Sequence, residues 1–244
     1  MPLEIGEVVQ FSEIEVQDQL SRLQKGKAAD LQGFTSELLG WGGSSLVSSL
    51  TTCLNQVVQY GLPEDWIARR LVPIHKGGCK KEVSNYRTIM IASVFAKILG
   101  SLLASKLGSW VETHKKRAPS QAGFRAGFNT LDHMLCLRVL EEKAKRLKVP
   151  LLCCFVDFSK AFDKVGRHKL WERMVSLDVP LELRIAIAQL YQKVVIKFSS
   201  SSSQAVLSTL GVIQGCPLSP TLFGIFIDQL HDWVEKLGGA GSQL

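Results

Sequence analysis

The sequence predicts an α+β fold in which helices pack on an antiparallel sheet, and three observations carry that expectation. Short apolar runs bounded by glycine, serine or basic turns occur at residues 66–76, 151–156, 194–198 and 205–212, as strands require. Between them, apolar residues recur at three- and four-residue spacing, the mark of helices with one buried face. With 46% hydrophobic residues among 244, the chain can bury a core as one large domain or two intimate subdomains.

Taken in order, Ser12 and Glu15 make a capping box with Phe11 and Val16 as a hydrophobic staple, so a helix starts there and runs through Val16, Leu20 and Leu23. Leu46, Leu50, Leu54 and Val57 mark a second helix, ending near Gly61 and Pro63. Residues 66–76 read as an extended apolar segment that ends in Lys76 and a Gly77-Gly78 turn. A second extended piece starts at Tyr86-Arg87 and continues as an apolar stretch to Leu107, interrupted by Lys97 and Lys106. Lys115, Lys116 and Arg117 form a basic run read as a solvated loop or a backbone contact. A helix follows from about Thr130 to Lys145.

The run 151–156 reads as a buried strand that delivers Asp157 at its end. Helices then occupy about 168–177 and 183–191. A strand at 194–198, a flexible serine tip at 199–203 and a return strand at 205–212 lead to the Gln214-Gly215 turn and a helix beginning near Pro220.

Charge is unevenly placed. The formal total is +7, yet residues 1–64 carry 3 basic and 8 acidic side chains. The basic remainder suits a phosphate-backbone partner or simply serves solubility. Six cysteines at 53, 79, 136, 153, 154 and 216 have neither CxxC nor framework spacing, with Cys153 and Cys154 expected as buried small hydrophobes. That pattern predicts a reduced, intracellular protein, cytoplasmic or nuclear, with no zinc site. The N-terminus lacks the apolar core of a secretory signal, and the long uncharged tracts are too rich in polar residues and proline to span a membrane.

Chemistry concentrates on Asp157. An ionised carboxylate at a strand end is costly unless it meets a cation, and an oxygen-only site of carboxylate and backbone carbonyl suits Mg²⁺. Four segments then occur in order: Asn85-Tyr86-Arg87-Thr88-Ile89 on to Lys97-Ile98; Gln121-Ala122-Gly123-Phe124-Arg125; Phe155-Val156-Asp157-Phe158 through Ala161-Phe162-Asp163; and Gly211-Val212-Ile213-Gln214-Gly215-Cys216-Pro217-Leu218-Ser219-Pro220. Together they resemble the reverse transcriptases of non-LTR, LINE-type retrotransposons, from about residue 10 to the end of the chain.

The resemblance implies a right-hand polymerase architecture: an N-terminal helical extension over 1–64, a fingers-like region over 65–150 and a partial palm over 151–244, with no thumb. It implies RNA-directed DNA synthesis on an RNA template and DNA primer, with Mg²⁺ and deoxynucleoside triphosphates. By the same resemblance Asp157 is a catalytic metal ligand, joined by the backbone carbonyl of Phe158. Lys76 and Arg87 hold the triphosphate, in keeping with phosphate recognition by a point charge and a bidentate fork. Phe162 lies under the sugar and excludes a 2′-hydroxyl, and Gln214-Gly215 contacts the nascent base pair. Arg125 either touches template or makes a structural salt bridge, and Asp163 pairs with a lysine or caps a turn.

Three departures are evident, the first being Thr88 where the family usually has a proline after the arginine. The loop at Lys27 to Phe34 lacks the proline and first glycine usual in the family, and no Asp-Asp pair exists anywhere in the chain, although the family carries one on a hairpin after the Gln214 helix. Asp228, Asp232 and Glu235 instead sit at helical spacing before a Gly238-Gly239-Ala240-Gly241 tract. The expectation is therefore a polymerase fragment with an incomplete two-metal site and no activity of its own. A nucleic-acid-binding remnant and an unstable truncated product are the alternatives.

Overall fold

The computed structural model describes residues 8–192, 194–198 and 205–236. The capping box holds: Ser12 N donates to Glu15 Oε2 at 2.8 Å, Glu15 N donates to Ser12 Oγ at 3.3 Å, and α1 runs Glu13–Ser21 with Phe11 and Val16 buried on either side of its start. After α2 (Ser36–Gly40) and α3 (Gly43–Tyr60), the short α4 (Glu64–Ile67) leads into β1 (Ala68–His75). Gly77 and Gly78 take positive φ in the following turn, which glycine does without strain, and β2 (Tyr86–Ile91) returns.

The two extended pieces pair as an antiparallel hairpin, but only the first part of the apolar stretch to Leu107 belongs to it. β2 stops at Ile91, and α5 (Val94–Thr113) takes the rest. The reason is a cap supplied from far away in sequence. Asp30, itself buried, accepts from Gln32 N and Phe34 N with Oδ1 and from Val94 N with Oδ2 at 3.0 Å, satisfying a first-turn amide of α5. By length and composition α5 could cross a membrane, but half of it is buried, with Ile98, Leu99, Leu102, Leu103, Leu107 and Val111 at the centre of the core.

The chain continues through α6 (Thr130–Leu147), α7 (Arg167–Ser176), α8 (Leu181–Gln192), β3 (Val194–Phe198), β4 (Ala205–Ser208), α9 (Ser219–Ile227) and α10 (Gln229–Lys236). The return strand expected to reach Val212 ends at Ser208, and the serine tip lies outside the described residues. The four strands form one sheet in the order β2-β1-β3-β4. It is mixed rather than antiparallel: two antiparallel hairpins join edge to edge where β1 and β3 pair in parallel, with Ala68 opposite Val195. A parallel pair needs a long crossover, and here α5 to α8 provide it.

The buried strand expected at 151–156 is absent. Residues 151–158 have no regular structure and make no backbone hydrogen bond with any described residue. A strand exists only against a neighbour that satisfies its amides and carbonyls, and the sheet is completed elsewhere. Leu152 and Phe155 are 92% and 84% exposed, and Cys153 and Cys154 are exposed rather than buried. The basic run at 115–117 is likewise not simply solvated. Lys116 pairs with Asp178 at 3.0 Å, and Arg117 is buried against Gly224 of α9, where a Cβ would come within 2.9 Å of its Nη1.

Candidate functional site

The Gln214-Gly215 turn is where the two hairpin-bearing halves of the sequence meet. Ser219 Oγ donates to Ile213 O at 2.7 Å and lies 3.1 Å from Tyr191 Oη, which closes the turn from below at the start of α9. On one side Met90 N of β2 donates to Gln214 O at 3.3 Å, and a Cβ on Gly215 (φ +99°) would lie 2.9 Å from Met90 O. Only glycine allows that approach. The same position is 3.9 Å from Ile89 Cγ2, so the Ile89 side chain faces the turn. Successive strand residues alternate faces, which puts Arg87 on the Gly215 side of the hairpin.

On the other side, the turn is fixed to the segment after Asp157. Gly211 N donates to Val165 O and Val212 N to Phe162 O, each at 2.9 Å. A Cβ on Gly211 (φ +79°) would meet Asp163 O at 2.8 Å and Phe162 O at 2.9 Å, so these backbones are in direct contact. Arg167 locks the arrangement: its guanidinium donates to Gly211 O, Ser208 O, Leu210 O and Tyr191 O, and to Ser208 Oγ. Half-burial lowers the pKa of this guanidinium from its ordinary value, still leaving a group that stays charged.

Of the residues singled out from sequence, Phe162, Gln214 and Gly215 are therefore brought together, with Arg87 on the facing side of β2. Lys76 follows β1 directly, its N–H donating to Asn85 O at 2.8 Å. The Lys76 and Arg87 side chains are exposed and have no ion-pair partner among the described residues. Phe162 stacks on Phe223 with centroids 4.9 Å apart and 12° between planes, and Phe124 packs edge-on against both.

Arg125 is committed elsewhere. It grips Glu112 through Nε and Nη2 at 2.8–3.0 Å, donates to Ala118 O and Gln121 O, and lies 4.8 Å over the Phe128 ring. Asp163, expected to find a lysine or cap a turn, accepts from Gln214 Nε2 at 2.7 Å instead. Asp157 and Phe158 lie in the exposed segment without regular structure.

The carboxylates do not fit a two-ion metal centre. Asp157 is exposed, Asp163 is occupied by Gln214, and no three His, Cys, Asp or Glu side chains converge among the described residues. Hard divalent cations need several oxygen donors at one point. A cleft of about 460 Å³ between α1, α2 and α3, lined by Leu20, Leu39, Trp41 and Val47, contains none of the residues named above.

Asp30 and Arg167 escaped the sequence reading. For Asp30 a signal existed, because an Asp two residues before a Gln-Gly pair favours a turn closed by its own side chain. For Arg167 none did: its partners are backbone carbonyls more than 20 residues away in sequence.

The chain is 28% identical over 186 residues to the Pol polyprotein of the type-1 retrotransposable element R2 of Popillia japonica, covering 75% of this chain and 26% of that protein. It is 25% identical to the R2 counterpart of Nasonia vitripennis, covering 84% and 19%, and 24% identical to the RNA-directed DNA polymerase of the mobile element jockey of Drosophila melanogaster, covering 74% and 20%. It thus spans about a quarter or a fifth of the length of these relatives. A chain from a partial Cas6-RT-Cas1--Cas2 complex superposes with a TM-score of 0.51 at 18% identity, covering 92% of this chain and 34% of that one, which shows a shared fold. Residues 74–238 match the family described as Reverse transcriptase (RNA-dependent DNA polymerase), and the chain belongs to that family.

Proposed function

We propose that this chain is the nucleotide-facing part of an RNA-directed DNA polymerase of retrotransposon origin, comprising fingers and part of a palm. It binds an RNA template–DNA primer duplex and a deoxynucleoside triphosphate inside the cell but does not complete catalysis alone. The observation that carries this reading is the segment 211–215, which bonds Met90 of β2 on one side and the carbonyls of Phe162 and Val165 on the other, so that the hairpin bearing Arg87, the Gln214 turn and the Phe162 turn are fixed to one another. In this reading Lys76 and Arg87 take the triphosphate, Gln214-Gly215 meets the nascent pair and Phe162 bars a 2′-hydroxyl. Asp157 and the Phe158 carbonyl are the chain's contribution to a divalent-cation site of the kind this family normally uses. Because the carboxylates of the described residues do not make a two-ion set, no bond-forming step is assigned to this chain.

The test is equilibrium binding of RNA template–DNA primer across a salt series, then of the next complementary deoxynucleotide to the preformed complex. Duplex affinity should fall steeply with salt as phosphate contacts release counterions. Arg87→Ala should weaken nucleotide binding roughly tenfold or more, the worth of a charge-assisted contact. Absence of saturable duplex binding would overturn the proposal.

A further inference from the structure

Building on that reading, we propose that Asp163 is a positioning residue that decides which end of the Gln214 amide is offered to the incoming nucleotide. The contact between Asp163 Oδ1 and Gln214 Nε2 is 2.7 Å long. An ionised carboxylate only accepts, and only the nitrogen end of a primary amide donates, so the contact admits one amide orientation of two. Nε2 is turned to Asp163, and Oε1 is left as a free acceptor with no donor among the described residues.

The orientation is enforced because both partners sit on backbone fixed to each other. The amides of Gly211 and Val212 bond to Val165 O and Phe162 O, and the Gly211 Cα lies against the Asp163 backbone with no room for a side chain. Arg167 ties Ser208, Leu210 and Gly211 to the same point, and Met90 holds Gln214 O from the opposite side. Lys160 and Lys164, the basic neighbours in the turn, make no ion pair with Asp163. The carboxylate is therefore free to serve the glutamine.

An acceptor presented on the turn whose Val212 amide bonds Phe162 O suits a sugar hydroxyl. With the 2′ side barred by the Phe162 ring, the donor left on a deoxynucleotide sugar is the 3′-hydroxyl. A nucleotide lacking it leaves Oε1 unpaired, which a site built for a hydroxyl penalises. Asp163 thus acts on discrimination through Gln214 without touching the nucleotide.

The experiment uses the full chain saturated with RNA template–DNA primer and compares binding of the next complementary deoxynucleoside triphosphate with that of its 2′,3′-dideoxy analogue. The wild type should prefer the deoxynucleotide. In Asp163→Ala the preference should shrink about three- to tenfold, the worth of one neutral hydrogen bond. Asp163→Asn keeps an acceptor at Oδ1 and should restore most of the preference. In a Gln214→Ala background, Asp163→Ala should have no further effect on the ratio. Equal weakening of both nucleotides, or an unchanged ratio, would overturn the inference and leave Asp163 a structural residue. Wild-type protein that binds the duplex but neither nucleotide would instead remove the nucleotide-site reading, and this inference with it.

Discussion

Helices α5 and α6 have similar lengths and each carries a run of apolar residues, yet they sit in opposite environments. Nine residues of α5 are buried, whereas in α6 only Ala144 is. Their starts differ in the same sense. α6 is capped locally, Asn129 Oδ1 accepting from Leu131 N and Asp132 N while Asp132 returns the bond to Asn129 N. α5 has no cap from its own N-cap side chain and depends on Asp30, 64 residues away. Local chemistry is enough to start a helix, but whether its apolar face is covered depends on what the rest of the chain brings to it.

The uncovered region is continuous in sequence, from Leu131, Met134, Leu135 and Val139 of α6 to Leu152, Phe155 and Val156 ahead of Asp157. Exposed apolar residues in such numbers are uncommon on a monomer surface. The covered region, by contrast, holds the Gln214 junction. In this fold, then, the Gln214 turn rests on a well-packed part of the molecule and Asp157 on an exposed one.

That contrast predicts a steep difference in sensitivity. Leu103→Ala in α5 should cost about 2–5 kcal/mol through lost burial and a cavity, while Leu135→Ala in α6 should stay within about 0.5 kcal/mol. Urea midpoints read both, and similar losses would break the comparison. The caps should differ less. Asp30→Ala leaves three backbone amides without their acceptor and should cost about 1–3 kcal/mol, against about 1 kcal/mol for Asn129→Ala. A larger loss at Asn129 would mean that α6 carries tertiary structure after all. Smallest of all in stability should be Leu152→Ser with Phe155→Ser, expected to leave the urea midpoint nearly unchanged while lowering binding of an apolar dye. Unchanged dye binding would place the apolar face elsewhere.

How much of this was legible in the sequence follows the same division. Features written within a few residues could be read: the Ser12–Glu15 box, the turn at Gly77-Gly78, the helices at 130–147 and 181–192, and the turn into α9. Features that depend on a distant partner could not. The run 151–156 has the composition of a buried strand, but no periodicity states whether a neighbour lies alongside it. Nothing within the stretch after Ile91 marks where α5 starts, because its cap lies at Asp30, and the sheet is mixed because two hairpins meet along an edge that neither encodes locally. At the site, motif spacing named Arg87, Phe162, Gln214 and Gly215, whereas the Asp163–Gln214 bond and the Arg167 clamp arise only when the chain folds.

The claim that this chain binds nucleotide and duplex without assembling a complete metal centre is tested most directly by primer extension on an RNA template with Mg²⁺ and deoxynucleotides, wild type beside Asp157→Ala. The account predicts a bound duplex and no incorporation in either. Incorporation by the wild type that is lost in Asp157→Ala would contradict it, because further carboxylates would then have to converge on Asp157.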